Sequence, residues 1–185
     1  MDTAGKVITE LFERREREFL LSSVRVLVKS SMEQLEVGDM TLEKMKEGET
    51  VEVPRWVAEE LVELSVAEIQ EEAFEIEIFK ALTREKMLGA QQLSALQPNF
   101  YLKMRRRLAA VKAGAETGKY RRDDYDKLKA TSYDLVGRRL SKLLSVSTST
   151  NLQTIGDKLT PEEKAFFTTS RTQSEEWKSA LLGVS

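Results

Sequence analysis

The 185-residue chain contains no cysteine and no histidine. Without cysteine, disulfides, a thiol nucleophile and cysteine-ligated zinc are excluded. Without histidine, the commonest general base and the commonest metal ligand are gone. A hydrolase or metalloenzyme would have to work with Asp, Glu, Lys, Ser and Tyr alone. Apolar runs stop at four residues, too few to span a bilayer core of ~30 Å. The N-terminal stretch mixes acidic and basic residues and has no apolar signal core. The expected location is the cytoplasm, with no membrane partner. The chain has neither a GxxxxGK nor a GxGxxG loop, so nucleotide binding has no support, and no cofactor is expected.

What is abundant is charge. Charged residues make up 32% of the chain and apolar residues 41%, and the 29 basic and 31 acidic side chains leave a net −2. The near-cancellation hides a split. Residues 1–90 carry 21 acidic and 12 basic side chains, and residues 91–185 carry 10 and 17. An acidic first half and a basic second half point to partners rather than to a fold.

Residues 3–21 place Val7, Ile8, Leu11, Phe12, Phe19 and Leu20 at helical spacing, around a solvated ERRERE run. Residues 23–29 then alternate, with Val24, Val26 and Val28 on one side, as a strand does. Turns are expected at Val37-Gly38-Asp39 and at Glu47-Gly48-Glu49, with Met40, Leu42 and Met45 unassigned between them. Thr50–Val53 alternates again. Pro54 ends that strand and suits the first position of a helix, with Val57, Leu61 and Leu64 on one face. Residues 66–69 form a closing strand. Residues 73–88 alternate over Phe74, Ile76 and Ile78, but sixteen residues without Gly or Pro exceed an ordinary strand, so a helix is expected, with Gly89 as its stop.

The stretch from Pro98 to Ser145 organises the rest. It reads as two helices, each with an apolar stripe. Phe100, Tyr101, Met104, Leu108 and Val111 form the first, broken by Gly114 and Gly118. The second starts at Asp123-Asp124, acids suited to a helix N-terminus, and carries Tyr125, Leu128, Ser132, Leu135, Val136, Leu140, Leu143 and Leu144. Residues 145–151, SVSTSTN, read as a polar linker, and residues 152–158 stay unassigned. Thr160-Pro161-Glu162-Glu163 is a capping box with proline at the first helical position. It opens a final helix with Phe166, Phe167, Trp177, Leu181 and Leu182, ending near Gly183. The expected fold class is mainly α with a small β-rich domain (α+β): a small-sheet domain with an N-terminal helix over residues 1–70, then an α-helical bundle domain over residues 71–185.

Two chemistries deserve weighing. Asp123, Asp124 and Asp126 could ligate Mg²⁺ through carboxylate oxygens, as in an acidic-site nuclease, but a helix start beside KYRR explains them better. The basic set of Lys103, Arg105, Arg106, Arg107, Lys119, Arg121, Arg122, Arg138, Arg139 and Lys142 could make a DNA-binding regulator. However, consecutive Arg105–Arg107 fan over about 200° of a helix and cannot all face one ligand. Pairing with acidic groups, within the chain or on a protein partner, is favoured. For Trp56 and Trp177, core packing is the default and an interface role the alternative.

The order of three blocks resembles an archaeal GINS subunit, a component of the replicative helicase complex. VRVLVKS, GDM, EGETVEVPRWVAEELVEL and VAEI look like its small β-rich domain. FYLKMRRRL and YDLVGRRLSKLL look like the core of its helical domain, and LTPEEKAFF with a closing EEW completes it. The β-rich part precedes the helical part, as in the type corresponding to the eukaryotic second and third partner subunits. The helix at residues 3–21 matches no family feature. The resemblance implies a non-enzymatic scaffold in DNA replication. It implies a heterotetramer with two copies of each GINS subunit type, joined mainly through helical domains. It further implies association with the MCM helicase and a RecJ-like, Cdc-type factor, and in some lineages with primase or DNA polymerase. On that view Arg105, Arg106, Arg107, Arg138, Arg139, Lys142 and Trp177 are subunit or partner contacts, with direct DNA contact secondary. Charge reversal at Arg138 and Arg139 should then weaken assembly and leave the fold intact.

Overall fold

The computed structural model describes residues 3–37, 40–149 and 152–183. Its elements run α1 (Thr3–Leu21), β1 (Ser23–Val28), β2 (Leu35–Val37), β3 (Met40–Leu42), β4 (Thr50–Pro54), α2 (Arg55–Glu63), β5 (Ala67–Ile69), α3 (Phe74–Met87), α4 (Phe100–Glu116), α5 (Arg122–Ser147), α6 (Leu152–Ile155), a 3₁₀ turn (Gly156–Lys158) and α7 (Pro161–Leu182). The chain is mainly helical with a small sheet near its start, which matches the expected fold class. It divides into two compact units, Glu13–Glu72 and Met1–Phe12 with Ala73–Ser185.

In the smaller unit, β1 is the central strand of an antiparallel sheet of order β4-β1-β5. Val24 lies opposite Val53, and Val26 opposite both Val51 and Ile69. The two-residue period turns Val24, Val26 and Val28 inward. There they meet Val57, Ala58 and Leu61 of α2, with Val53 and Ala67, as one core. Arg25 and Glu52, paired across β1 and β4, stay on the exposed side. Strands β2 and β3 form a separate hairpin. Its turn at Gly38-Asp39 lies outside the described residues. Met40 and Leu42, unassigned from the sequence, belong to β3, and Met45 bridges Met32. Gly48 supplies the positive φ, +83°, that its turn needs.

Pro54 is the residue before α2 and still part of β4, so Arg55 takes the first helical position. Arg55 is buried, stacks over the Phe19 ring at 4.2 Å and donates to Glu71 at 2.6 Å.

Helix α2 ends without a glycine. Ser65 takes the left-handed conformation at φ +62°, its N–H bonds Val62 O, and Val66 N–H bonds Leu61 O. This is a full Schellman motif built on serine. A side chain there costs about 1–2 kcal/mol, and glycine's extra chain entropy returns roughly 0.5–1 of it. Ser65→Gly is therefore expected to stabilise the small unit by about 0.5–1 kcal/mol, read as a higher urea midpoint. A lower midpoint would refute the strain argument.

In the helical unit, α3 buries Phe74, Ile78, Ala81, Leu82 and Glu85 along one stripe and leaves Ile76 and Phe79 exposed. The strand-like alternation in its sequence is therefore incidental. The helix stops because Leu88 turns extended (φ −85°, ψ 144°), and Gly89 is not a left-handed cap. Helix α4 starts two residues after Pro98, with Asn99 before it. Its buried residues are Phe100, Leu102, Val111 and Gly114.

Gly114 does not break α4. A Cβ there would lie 2.2 Å from the Tyr120 ring, so glycine is required for the returning chain to pack on the helix. The turn itself is made by Gly118 at φ +80°.

Helix α5 runs 26 residues, through Ser145, Val146 and Ser147. The expected linker therefore begins later. Val146 and Ser147 are buried, and serine hydroxyls bonding back to the helix, as Ser147 does to Leu144 O, do not end it. The unassigned residues 152–158 are α6 and the 3₁₀ turn.

Two apolar clusters fill the unit. One joins α3, α4 and α5 around Phe74, Ile78, Phe100 and Leu135. The other joins α5 and α7 around Leu143, Val146 and Phe167.

Candidate interaction surface

The inward stripe of α5 is Leu128, Ser132, Leu135, Arg139, Lys142, Leu143 and Val146. It lies about one residue round the helix from the stripe read in the sequence. Leu135 is buried as expected, but Val136, Leu140 and Leu144 face outward, and Arg139 and Lys142 take core positions.

The reason is a buried charge cluster. Arg139 donates from Nε and Nη2 to the Glu163 carboxylate, the latter at 2.8 Å. Its Nη1 reaches Glu85 Oε1 at 2.5 Å and the Ser94 carbonyl at 2.9 Å. Lys142 Nζ donates to Glu85 Oε2 and to the Glu85 carbonyl, both at 2.8 Å. Ser94 donates its N–H and its hydroxyl to Glu85 Oε1, and Tyr101 donates its hydroxyl to Glu163 Oε1 at 2.7 Å. Two carboxylates face two cations, so the buried charge balances, and each carboxylate oxygen has a donor, as interior ions require.

The ionisation states follow from these contacts. Burial raises the Glu85 pKa, but hydrogen bonds from Lys142 and Ser94 and the Arg139 charge outweigh it and hold the carboxyl below 4.5. Burial opposes the Arg139 charge, yet Glu163 keeps the guanidinium firmly protonated. Burial and the adjacent Glu163 charge push the Tyr101 hydroxyl up, so it stays a donor.

Because the folded carboxyl of Glu85 titrates below its unfolded value, its stabilising effect is present above pH 4.5 and is lost as pH falls through the lower folded pKa. Urea midpoints are expected to be level at neutral pH and to fall in acid. Glu85→Gln should flatten that acid slope, and an unchanged slope would show that other carboxyls set it.

Of the residues nominated as contacts, burial therefore removes Arg139 and Lys142 from the surface. Reversing Arg139 would disrupt the interior, contrary to the expectation of an intact fold. Arg138 is exposed and donates to Asp134 at 2.7 Å, one turn back. Arg105 is exposed and lies 5.7 Å from the Phe12 ring. Arg106 is half-buried. Arg107 bonds Glu75 at 2.7 Å and the Tyr120 hydroxyl at 3.3 Å. Arg105 and Arg107 thus point to different neighbours, as the fan implies.

Asp123 and Asp124 lie in the first turn of α5. Asp124 pairs with Arg121 and Asp126 with Arg122. Among the described residues no three carboxylates gather into a metal site.

Trp177, read with core packing as the default and named by the resemblance as a contact, is 65% exposed, with Leu181 and Leu182 exposed beside it. Past Ser174 most side chains of α7 are exposed. Trp56, by contrast, packs against the small core.

Outward-facing apolar side chains thus collect on α5 and at the end of α7. None of the described helices is long and apolar enough to cross a membrane. A helical bundle pinned by internal ion pairs, with apolar side chains left on its outside, defines a protein that works by being joined to others. Residues 65–182 match the Sld5 family, the GINS complex protein helical bundle domain. The match covers more than half of the chain, which therefore belongs to the GINS family and is a subunit of the GINS complex of DNA replication. Family membership implies association with other GINS subunits. No curated protein matches the chain.

Proposed function

We propose that this chain is the GINS subunit type in which the small β-rich domain comes first, as in archaea. It joins the helical-first type in a 2:2 heterotetramer through the helical domains. The complex is a cytoplasmic, non-enzymatic scaffold at the replication fork, and it links the MCM helicase to a RecJ-like, Cdc-type factor and to primase or polymerase. The observation that carries this reading is the order of the units: a β4-β1-β5 sheet with α2 stands ahead of the bundle that matches the family. The acidic first half and basic second half supply charges of both signs for contacts with partners. Arg105, Arg106, Arg107, Arg138 and Trp177 are the contact candidates that burial leaves in play.

Native mass spectrometry of the chain mixed with a helical-first GINS subunit tests the assembly, and a 2:2 mass is expected. A chain that stays monomeric beside that subunit would overturn the reading. Immobilised complex should also retain MCM at low salt and release it as salt rises. Failure to retain it at any salt would remove the helicase link while leaving the assembly standing.

A further inference from the structure

We infer that the outer face of α5 is the seat for a helix of a different GINS subunit, one whose packing face is bordered by acidic residues. The inference rests on the GINS reading and says which face is used and what chemistry it meets.

Three observations converge on this face. First, Tyr133, Val136, Leu140 and Leu144 line one side of α5 at spacings of three and four residues. They are exposed by 71%, 38%, 42% and 47%. That is the surface of about two whole side chains, roughly 400 Å² at the ~150–250 Å² a large side chain can bury. A standard interface buries ~800 Å² per partner, a little over half of it apolar. This stripe alone comes close to supplying that apolar share.

Second, the stripe is a ridge between two grooves, the relief into which a helix packs. On one side lies an apolar groove of about 300 Å³, with Tyr101, Met104 and Phe166 facing Val136 and Leu140. On the other lies a trough of about 650 Å³, floored by Gly137, Ser141 and Ser145. Glycine in mid-helix is unfavourable. Among the described residues nothing calls for Gly137, because its backbone is ordinary helix and a Cβ there would meet nothing within 4 Å. Gly114 is explained by Tyr120, whereas the space beside Gly137 is open to something approaching from outside.

Third, the border of the face is basic. Lys86 and Arg138 share one carboxylate, Asp134, and Lys129 lies 5.9 Å from the Tyr133 ring. Arg105 and Glu162 border the apolar groove. A second copy of this chain would bring the same excess of cations to the same border, and a partner bearing Asp and Glu would neutralise it.

The test measures binding of the full chain to a purified helical-first GINS subunit. The chain is compared as wild type, Gly137→Leu, Leu140→Glu and Trp177→Ala. Gly137→Leu fills the trough without touching the interior. It is expected to weaken binding at least about 30-fold, as loss of an interface hot spot does, with the chain's own melting temperature kept. Leu140→Glu should weaken it similarly by setting a carboxylate against an acidic border. If wild type binds and both α5 variants bind equally well, the face is wrong although the GINS reading survives. If the wild-type chain binds no GINS subunit, the reading beneath it fails. If the wild-type chain alone is a dimer that Gly137→Leu dissociates, the occupant is a second copy and the charge argument is overturned.

Discussion

Arg139→Met should lower the stability of the helical unit by about 3–5 kcal/mol, the range for removing one partner of a buried ion pair. The melting temperature should fall by roughly 10–20 °C at a few degrees per kcal/mol. Methionine fills much of the arginine's volume, so packing loss is a small part of the effect. The larger part is electrostatic, because Glu163 loses the guanidinium that held both its oxygens and Glu85 keeps only Lys142 and Ser94. The neighbouring Arg138→Met is the control. Arg138 is exposed and paired within its own helix to Asp134, a contact worth no more than about 0.5 kcal/mol. Thermal unfolding followed by circular dichroism separates the two. Equal, small effects would mean that water reaches the cluster and screens it.

Phe100→Ala should cost about the same, 3–5 kcal/mol, by a different route. Phe100 is among the largest fully buried side chains. Its ring stands 5.3 Å from Phe74 and 5.7 Å from Tyr101, so truncation opens a cavity where α3 and α4 meet. Its position at the start of α4 limits collapse into the space, because Leu102 and Val111 are held further along the same helix. Phe100→Leu should recover more than half of the loss, since most of the apolar volume returns. The two variants also differ in salt. High salt should leave the Phe100→Ala deficit unchanged, whereas stabilisation of Arg139→Met by added cations would expose the net negative charge left on Glu85, Glu163 and Lys142. A Phe100→Ala melt within 1 °C of wild type would show that this aromatic cluster is dispensable.

What the sequence made legible was local. The alternation of Val24, Val26 and Val28 against Arg25 and Lys29 selects the sheet face that buries the valines. Thr160, Pro161 and Glu163 stand at the spacings a capping box needs, and the structure forms that box with both hydrogen bonds. The family resemblance held for GINS membership, and the helical blocks FYLKMRRRL, YDLVGRRLSKLL and LTPEEKAFF all fall within the matched residues 65–182.

What misled was the premise that charged side chains face water. It turned α5 by one residue, sending Leu140 inward and Arg139 outward. The missing information lay far along the chain, in Glu85 on the apolar stripe of α3 and Glu163 at the start of α7. Periodicity within one helix cannot report a partner 54 residues away. A carboxylate falling in step with Ile78, Ala81 and Leu82 was the available sign. Gly114 was misread for the same reason, since its need arises from Tyr120 crossing over it. For Trp177 the residue type alone favoured the core and only the resemblance set it among the contacts; the side chain is exposed.

Glu163 closes the N-terminus of α7 and also neutralises Arg139. The first turn of that helix therefore cannot open without stranding a cation in the interior. Its backbone amides should exchange with solvent deuterium only when the whole bundle unfolds, whereas those after Ser174 should exchange by local fraying within seconds to minutes. The same helix is thus the slowest-exchanging segment at one end and among the fastest at the other. Binding of a partner over Trp177 would be recorded as protection spreading along α7 toward Gly183.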